Sequence, residues 1–480
     1  MAVPSSSTEL CEAAMTAFSA LNTSISGLAA AQRAVDITSQ NIANVNTPGY
    51  SRQQIRLSSV GSTTAAHFYT GDNSAILGGV KIDDVLRVRD AFLETARVNA
   101  GATKEALAVQ ASALSGVEGL LNEPGDDGIQ AVIDDFYASW HNLAANPGTS
   151  RDAAAGQVLQ AATALVNQLH FVSSGIDERW SNAQSQLTAT VNDLNQATAD
   201  LAVVNQNILE GAVDEHPINE LLDRRDSLVR TIGELSGARA VVKTDNTVDV
   251  MINNISVVSG NRALPVTVAG ATSIGGVAAD PPHLMSGVNN APISGGKLAG
   301  LLAALGTDIP TVATQLDGVA TSMRDAVNTL HSAGYTTGGD TGLDFFSGTG
   351  AGDLAVVPET GADLALSVEP GVVDGGNAEA IADLALDENA EAVLGGPGPS
   401  VRLRALASEI GTKLQSLNRA VEVQDSVFAT ADAAINADAG VSIDEEMTSL
   451  LMYQRSYQAS ARVISTIDEL LDTLINRTAV

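Results

Sequence analysis

The chain has a single cysteine, Cys11, among 480 residues. It can hold neither an internal disulfide nor a cysteine-based zinc site. Aromatics make up 3% of the sequence, so the core must be built from Ala, Val, Leu and Ile, which suits helices packed side by side. No apolar run reaches the roughly 18 residues of a membrane-spanning helix. Basic residues are scarce, 25 against 56 acidic ones, for a formal net charge of −31. No run of Lys or Arg exceeds two residues, and such a chain repels nucleic acid and anionic lipid. The six histidines, His67, His141, His170, His216, His283 and His331, include no i,i+4 pair of the kind that binds metal on a helix face. There is no Gly-x-Ser-x-Gly nucleophile elbow, and Met1–Met15 lacks the basic and apolar regions of a cleavable signal peptide. These absences leave no catalytic residue, cofactor or metal site to assign.

What is present is heptad periodicity at both ends. Residues 15–46 read as one amphipathic helix, with Leu21, Leu28, Val35 and Ile42 seven residues apart and Phe18 and Ile25 in a second row. A seven-residue repeat returns one stripe to the same side of a slightly underwound helix. The turn Asn46-Thr47-Pro48-Gly49-Tyr50 ends it, because Pro48 disfavours the α region at Thr47 and Gly49 tolerates positive φ. Residues 51–57 then read as extended. At the other end, Ile443, Leu450, Tyr457, Ile464 and Leu471 recur every seven residues, and Met447, Ala461 and Ile475 widen the stripe. Ser442 and Glu445 have capping-box spacing. Burying one Leu or Ile is worth about 1.5–3 kcal/mol, so each stripe needs a partner, either the other terminus or another subunit. Charge agrees: residues 1–60 are net neutral and 441–480 net −3, while the middle carries the remainder.

Between the ends, 90–236 and 297–333 read as mainly helical, with Asp177–Glu210 a polar helix exposed on much of its surface. The alternating run Val241–Val258 reads as hairpin strands, 335–400 as loops and strands, and 401–436 as the last helix before the terminal one. The adjacent carboxylates Asp134-Asp135 and Glu445-Glu446 read as solvated helix faces. The cluster Asp223-Arg224-Arg225-Asp226 reads as surface ion pairs, with Glu220–Arg224 and Asp226–Arg230 at helical i,i+4 spacing. The fold class expected is mainly α with β-containing inserts: paired terminal helices, a helical-bundle body and a β-rich outer domain.

Particular stretches resemble a known family. Ser26-Gly27-Leu28 with Asn41-Ile42-Ala43-Asn44-Val45-Asn46-Thr47-Pro48-Gly49-Tyr50, and Asp444-Glu445-Glu446 through Tyr453 to Ile464, resemble the two ends shared by flagellar rod, hook and hook-associated proteins. Asn219–Asp226, Ser294–Leu302, Ala326-Val327-Asn328 and Gly342–Phe346 narrow this to the FlgK family of hook-associated proteins. The resemblance begins at Met15, which marks 1–14 as an extension or a misplaced start. It implies a non-enzymatic structural protein at the hook–filament junction. Residues 15–57 with 440–480 would pair as an inner coiled coil, the heptad residues named above forming the assembly interface. The regions 58–240, 295–335 and 401–439 would make a helical body, and 241–294 and 336–400 an outer region. The implied partners are further copies in a ring, the hook protein, a filament-side junction protein and an export chaperone. The implied route is the flagellar type III channel, to the extracellular flagellum. A hook or distal-rod subunit is the alternative within that class, and a coiled-coil surface adhesin the alternative outside it.

Overall fold

A computed structural model describes residues 6–47, 49–60, 78–125, 128–146, 148, 151–213 and 218–478, with helical side chains at the two ends described from Ala17 to Thr473. In order, the elements are α1 (Ser6–Ala43), β1 (Gln53–Ser59), β2 (Val80–Arg87), α2 (Ala91–Leu121), α3 (Ile129–Ala145), α4 (Arg151–Val213) and α5 (Asn219–Ser236). Then come β3 (Arg239–Val242), β4 (Val248–Ile252), β5 (Ile255–Ser259), β6 (Arg262–Ala263), β7 (Val266–Ala269), β8 (His283–Ser286) and β9 (Asn289–Asn290). They are followed by α6 (Gly296–Ala303), α7 (Ile309–His331), β10 (Phe346–Ser347), β11 (Ala355–Val356), α8 (Gly376–Ala382), α9 (Asp387–Leu394), α10 (Pro399–Ala439) and α11 (Ile443–Thr478). The fold is mainly helical with small antiparallel sheets. No described helix is long and apolar enough to cross a membrane.

The chain divides into two compact units: Met1–Arg97 with Glu215–Ser227 and Ala429–Val480, and Val98–Asp214 with Leu228–Phe428. The second unit holds a core of small and branched aliphatics around one aromatic group. Phe136 and Trp140 of α3 meet His331, Phe345 and Phe346, and Tyr137 packs on Phe136, with ring centroids 4.6–6.3 Å apart. The 63-residue α4 is the spine of this unit. Its polar composition reads as solvent exposure, yet many of its polar groups dock the sheets. Asn205 donates to the Val248 and Gly260 carbonyls and accepts from the Val248 amide; Asn195 bonds both backbone groups of Val266. The sheets have strand orders β3-β4-β5-β6 and β7-β8-β9.

Two expectations are corrected and one is sharpened. The stretch 297–333 is helical as read, with a π-turn at Ala304–Asp308 inside it. There the Trp180 indole N–H takes the Leu305 carbonyl at 3.0 Å, and the buried Asp308 carboxylate receives Gln110 at 2.7 Å and the Lys413 ammonium. The stretch 336–400 is only marginally β: two two-residue strands stand beside α8 and α9, whose Ala-rich runs are short and bounded by glycines. Finally, α1 stops at Ala43 rather than Asn46. The Asn44 side chain bonds the Gln40 carbonyl and receives the Thr47 hydroxyl, competing with the helical ladder.

His331 is a structural group. Its Nδ1 lies 2.7 Å from the Leu343 carbonyl and its Nε2 accepts the Ala365 amide at 3.0 Å, which requires the neutral ring protonated at Nδ1. Burial holds its pKa below the usual histidine value. The unfolded chain therefore binds the proton first as pH falls. Stability from His331 is complete above about pH 6.5 and is lost as pH drops from there through the lowered native value, by at most about 1.4 kcal/mol per pH unit. In urea unfolding followed by tryptophan fluorescence, His331→Leu is expected to flatten the loss seen between pH 7 and pH 5. An unchanged pH slope would refute this assignment.

Candidate assembly interface at the chain ends

In the first unit, α1 and α11 pack against each other. An added Cβ on Gly27 would sit 3.3 Å from the Ser460 hydroxyl, and Asn41 bonds Glu446. Fourteen residues separate the two contacts on each helix, in opposite directions, so the helices run antiparallel and in step over two heptads. The seam is not the large-residue stripe. On α1 the buried positions are Ala30, Ala31, Ala34, Ile37, Thr38 and Asn41; on α11 they are Glu446 and Ile467, with Tyr453 and Ser460 half-buried between them. Small side chains at the contact let two helices approach closely.

The heptad residues themselves sit beside or away from this seam. Leu21, Leu28, Val35, Ile42, Leu450, Ala461, Ile464 and Leu471 are half-buried. Phe18, Ile25, Ile443, Met447 and Tyr457 are exposed. The Ile475 side chain lies outside the described residues. On α11, Ile443, Met447 and Leu451 are exposed one turn apart, and Val463 and Leu470 are exposed on another side. At about 100° per residue, Met447 and Val463 point roughly 160° apart.

The turn after α1 closes through Thr47 N–H to the Asn44 carbonyl and Tyr50 N–H to the Thr47 carbonyl, with Gly49 at φ 82°. Asn46 and Thr47 are exposed, Gly49 and Tyr50 half-buried, and Pro48 lies outside the described residues. The turn delivers Tyr50, Arg52 and Gln53 to a buried polar network. Asn41, 1% exposed, donates to the Gln53 carbonyl and Glu446 Oε2 and accepts from the Tyr50 hydroxyl and Gln53 amide, at 2.8–3.0 Å. All four of its amide hydrogen-bonding positions are used. Glu446 Oε1 takes Arg52 Nε at 2.8 Å, and Arg52 also pairs with Glu445 at 3.2 Å. Glu446 is thus corrected from a solvated face to a buried, fully engaged carboxylate. Ser442 caps α11 through the Glu445 amide at 3.5 Å, while the Glu445 carboxylate pairs with Arg52. Burial pushes the Tyr50 phenol up to about 12, and the Asp223 and Glu446 charges add to the shift.

A second buried network holds the β1–β2 hairpin to the start of α5. Arg87 pairs with Asp223 at 2.9 Å and Asp226 at 2.5 Å, and Asp226 is also paired with Arg89 and Arg225. The Ser51 amide reaches Asp223 at 3.5 Å, and Asn219 bonds Gln53 and the Val85 carbonyl. This corrects the surface reading: Asp226 turns to Arg87, Arg89 and Arg225 instead of Arg230 along its own helix. Burial would raise the Asp226 carboxyl, but the Arg89 hydrogen bond and the three arginine charges outweigh it and hold it below the usual range. Asp223 moves the other way, burial exceeding the opposing pull of Arg87. The missed signal is the arginine pair Arg87 and Arg89, two basic residues close together in a predominantly acidic chain. Asp134 and Asp135 are exposed as expected, and no described group of His, Cys, Asp or Glu is placed to hold a metal ion.

The two ends that build this site match families of their own. Residues 21–50 match the flagella basal body rod protein family, and 437–477 match the flagellar basal body rod FlgEFG protein C-terminal family. These ends define an axial protein of the bacterial flagellum. Residues 114–346 match the flagellar hook-associated protein FlgK helical domain. Over 509 aligned positions the chain is 27% identical to flagellar hook-associated protein 1 of Bacillus subtilis strain 168, covering 96% of this chain and 98% of that one. It is 25% identical to the Escherichia coli K12 protein of the same name, over 95% and 99% of the two chains. The flagellar hook junction protein FlgK from Burkholderia pseudomallei shares the fold, with a TM-score of 0.62 and 13% identity over 72% of this chain and 99% of that one. Over nearly its whole length the chain is thus similar to the FlgK family of flagellar hook-associated proteins. It is a structural component of the flagellum, not an enzyme.

Proposed function

We propose that this chain forms the junction between hook and filament, as a ring of copies joined through α1 and α11. The paired ends act as a coiled coil lining the inner tube, the helical body surrounds it, and 241–294 with 336–400 face outward. The observation that carries this reading is the division of labour on the terminal helices. Their mutual seam uses small and polar residues, and the large apolar ones, Phe18, Ile25, Ile443, Met447, Tyr457, Val463 and Leu470, stay uncovered in the single chain. Exposed apolar positions on two different sides of α11 favour a heterologous contact, one side of a copy meeting the other side of the next. Such contacts close into rings when the rotation permits.

In this reading the hook protein adjoins one face of the ring and a filament-side junction protein the other. The subunit travels through the flagellar type III channel without a cleaved signal, and an export chaperone covers the α11 apolar positions beforehand. Antibody-gold labelling of isolated flagella tests the placement. A single cluster where hook meets filament is expected, whereas label along the whole hook would make the chain a hook subunit. Phe18→Glu with Ile25→Glu, on α1 and so outside the chaperone-covered positions, should leave the protein exported but drop the junction label to background. Retained label in that variant would exclude these two positions from the assembly contact.

A further inference from the structure

We propose that the Asn41–Glu446–Arg52 network is the register key for the pairing of the chain ends; this rests on the pairing just described. The seam holds a few large side chains, Ile37 on α1 and Tyr453 and Ile467 on α11, but Gly27, Ala30, Ala31, Ala34 and Thr38 make most of the α1 side small, so sterics alone discriminate weakly between one heptad offset and the next. The polar network supplies that reason. In the observed register Asn41 meets Glu446 at 3.0 Å and Arg52 meets the other carboxylate oxygen at 2.8 Å. Sliding α11 by one heptad, about 10 Å at 1.5 Å per residue, carries Glu446 away from both while Tyr453 or a position before α11 takes its place. The displaced offset leaves Asn41, otherwise bonded at every amide position, with an unmatched buried partner. A single buried polar group is the best-attested device for fixing helix register. The large heptad residues are thereby free to face other subunits.

Disulfide mapping on the free full-length chain, in a Cys11→Ser background, reads the register directly. The native offset is reported by Gly27→Cys with Ser460→Cys, whose contact distance suits a disulfide. The slipped offsets are reported by Gly27→Cys with Tyr453→Cys or with Ile467→Cys. The parent should form the first cross-link almost exclusively. Asn41→Leu with Glu446→Leu should raise the ratio of slipped to native cross-link about tenfold or more, the effect of losing charge-assisted buried hydrogen bonds. Glu446→Gln, which keeps an acceptor oxygen for the Asn41 amide but loses the charge that meets Arg52, should fall between the two. If the double variant holds the native cross-link with no slipped product, the key lies elsewhere although the helices pair. If the parent itself forms no native cross-link, the pairing and the register reading fall together.

Discussion

Replacing Phe345 by Ala is expected to destabilise the second unit by about 3–5 kcal/mol, the cost of truncating a fully buried Phe. Phe345 has no exposed surface and touches Phe136, Trp140, His331 and Phe346 at centroid distances of 4.6–5.7 Å. It anchors a segment that has little regular structure to anchor it otherwise. The Asn328 side chain accepts both the Phe345 and Phe346 amides, and His331 holds Leu343 and Ala365. The ring is therefore the apolar half of a staple whose polar half comes from α7. Removing it leaves the Trp140 ring facing a cavity, and both tryptophans, Trp140 and Trp180, lie in this unit. Fluorescence during urea unfolding consequently reports this unit alone, and the midpoint should fall with the slope unchanged. A change below about 1 kcal/mol would mean that the cavity collapses and that the aromatic group is not the centre of the core.

The elements were readable from the sequence where periodicity and punctuation agree. The C-terminal helix, the 241–258 hairpin and the 401–436 helix appear with shifts of a few residues, while α1 begins nine residues before the expected start. What escaped was the use made of polar and small residues. Leu21, Leu28, Val35 and Ile42 mark a stripe by size, but burial in the single chain follows Ala30, Ala34, Ile37 and Asn41. Hydrophobic periodicity measures which face needs cover, not which partner covers it. Likewise Asn195 and Asn205 make α4 look solvated, although each satisfies strand backbone. Glu446 and Asp226 look like surface charge because Arg52 is 394 residues from the one and Arg87 is 139 residues from the other in sequence. Spacing along one helix carries no information about such contacts. Thus Asp226–Arg230 was a sound local pairing that tertiary structure overrides.

The Arg87 network offers the sharpest electrostatic test. Its side chain is 8% exposed and its guanidinium stands between Asp223 and Asp226, with the Ser51 hydroxyl at 3.3 Å from Nη2. Arg87→Met should cost the first unit about 3–5 kcal/mol at neutral pH, since breaking a buried pair leaves uncompensated charge. The two carboxylates will not suffer equally. Asp226 keeps Arg89 and Arg225, whereas Asp223 loses its ion-pair partner and the largest pull against its burial. Asp223 already titrates above the usual carboxylate range, so its native state takes up a proton more readily than the unfolded chain. A raised native carboxyl costs nothing below the unfolded value near pH 4 and lowers stability as pH rises through the native one. The penalty of Arg87→Met should therefore be largest at pH 7 and shrink towards pH 4. Asp226 runs oppositely, its depressed carboxyl adding stability above about pH 4 that is lost as pH falls through the native value. In the parent the two partly offset each other; removing Arg87 unmasks Asp223. Since neither tryptophan lies in this unit, amide exchange across Val80–Arg87 is the suitable measure. Adding Asp223→Leu to Arg87→Met should restore much of the lost protection, because replacing both members of a buried pair by apolar groups is often neutral. If the double variant exchanges faster than Arg87→Met alone, Asp223 is held by Ser51 and its backbone surroundings rather than by Arg87.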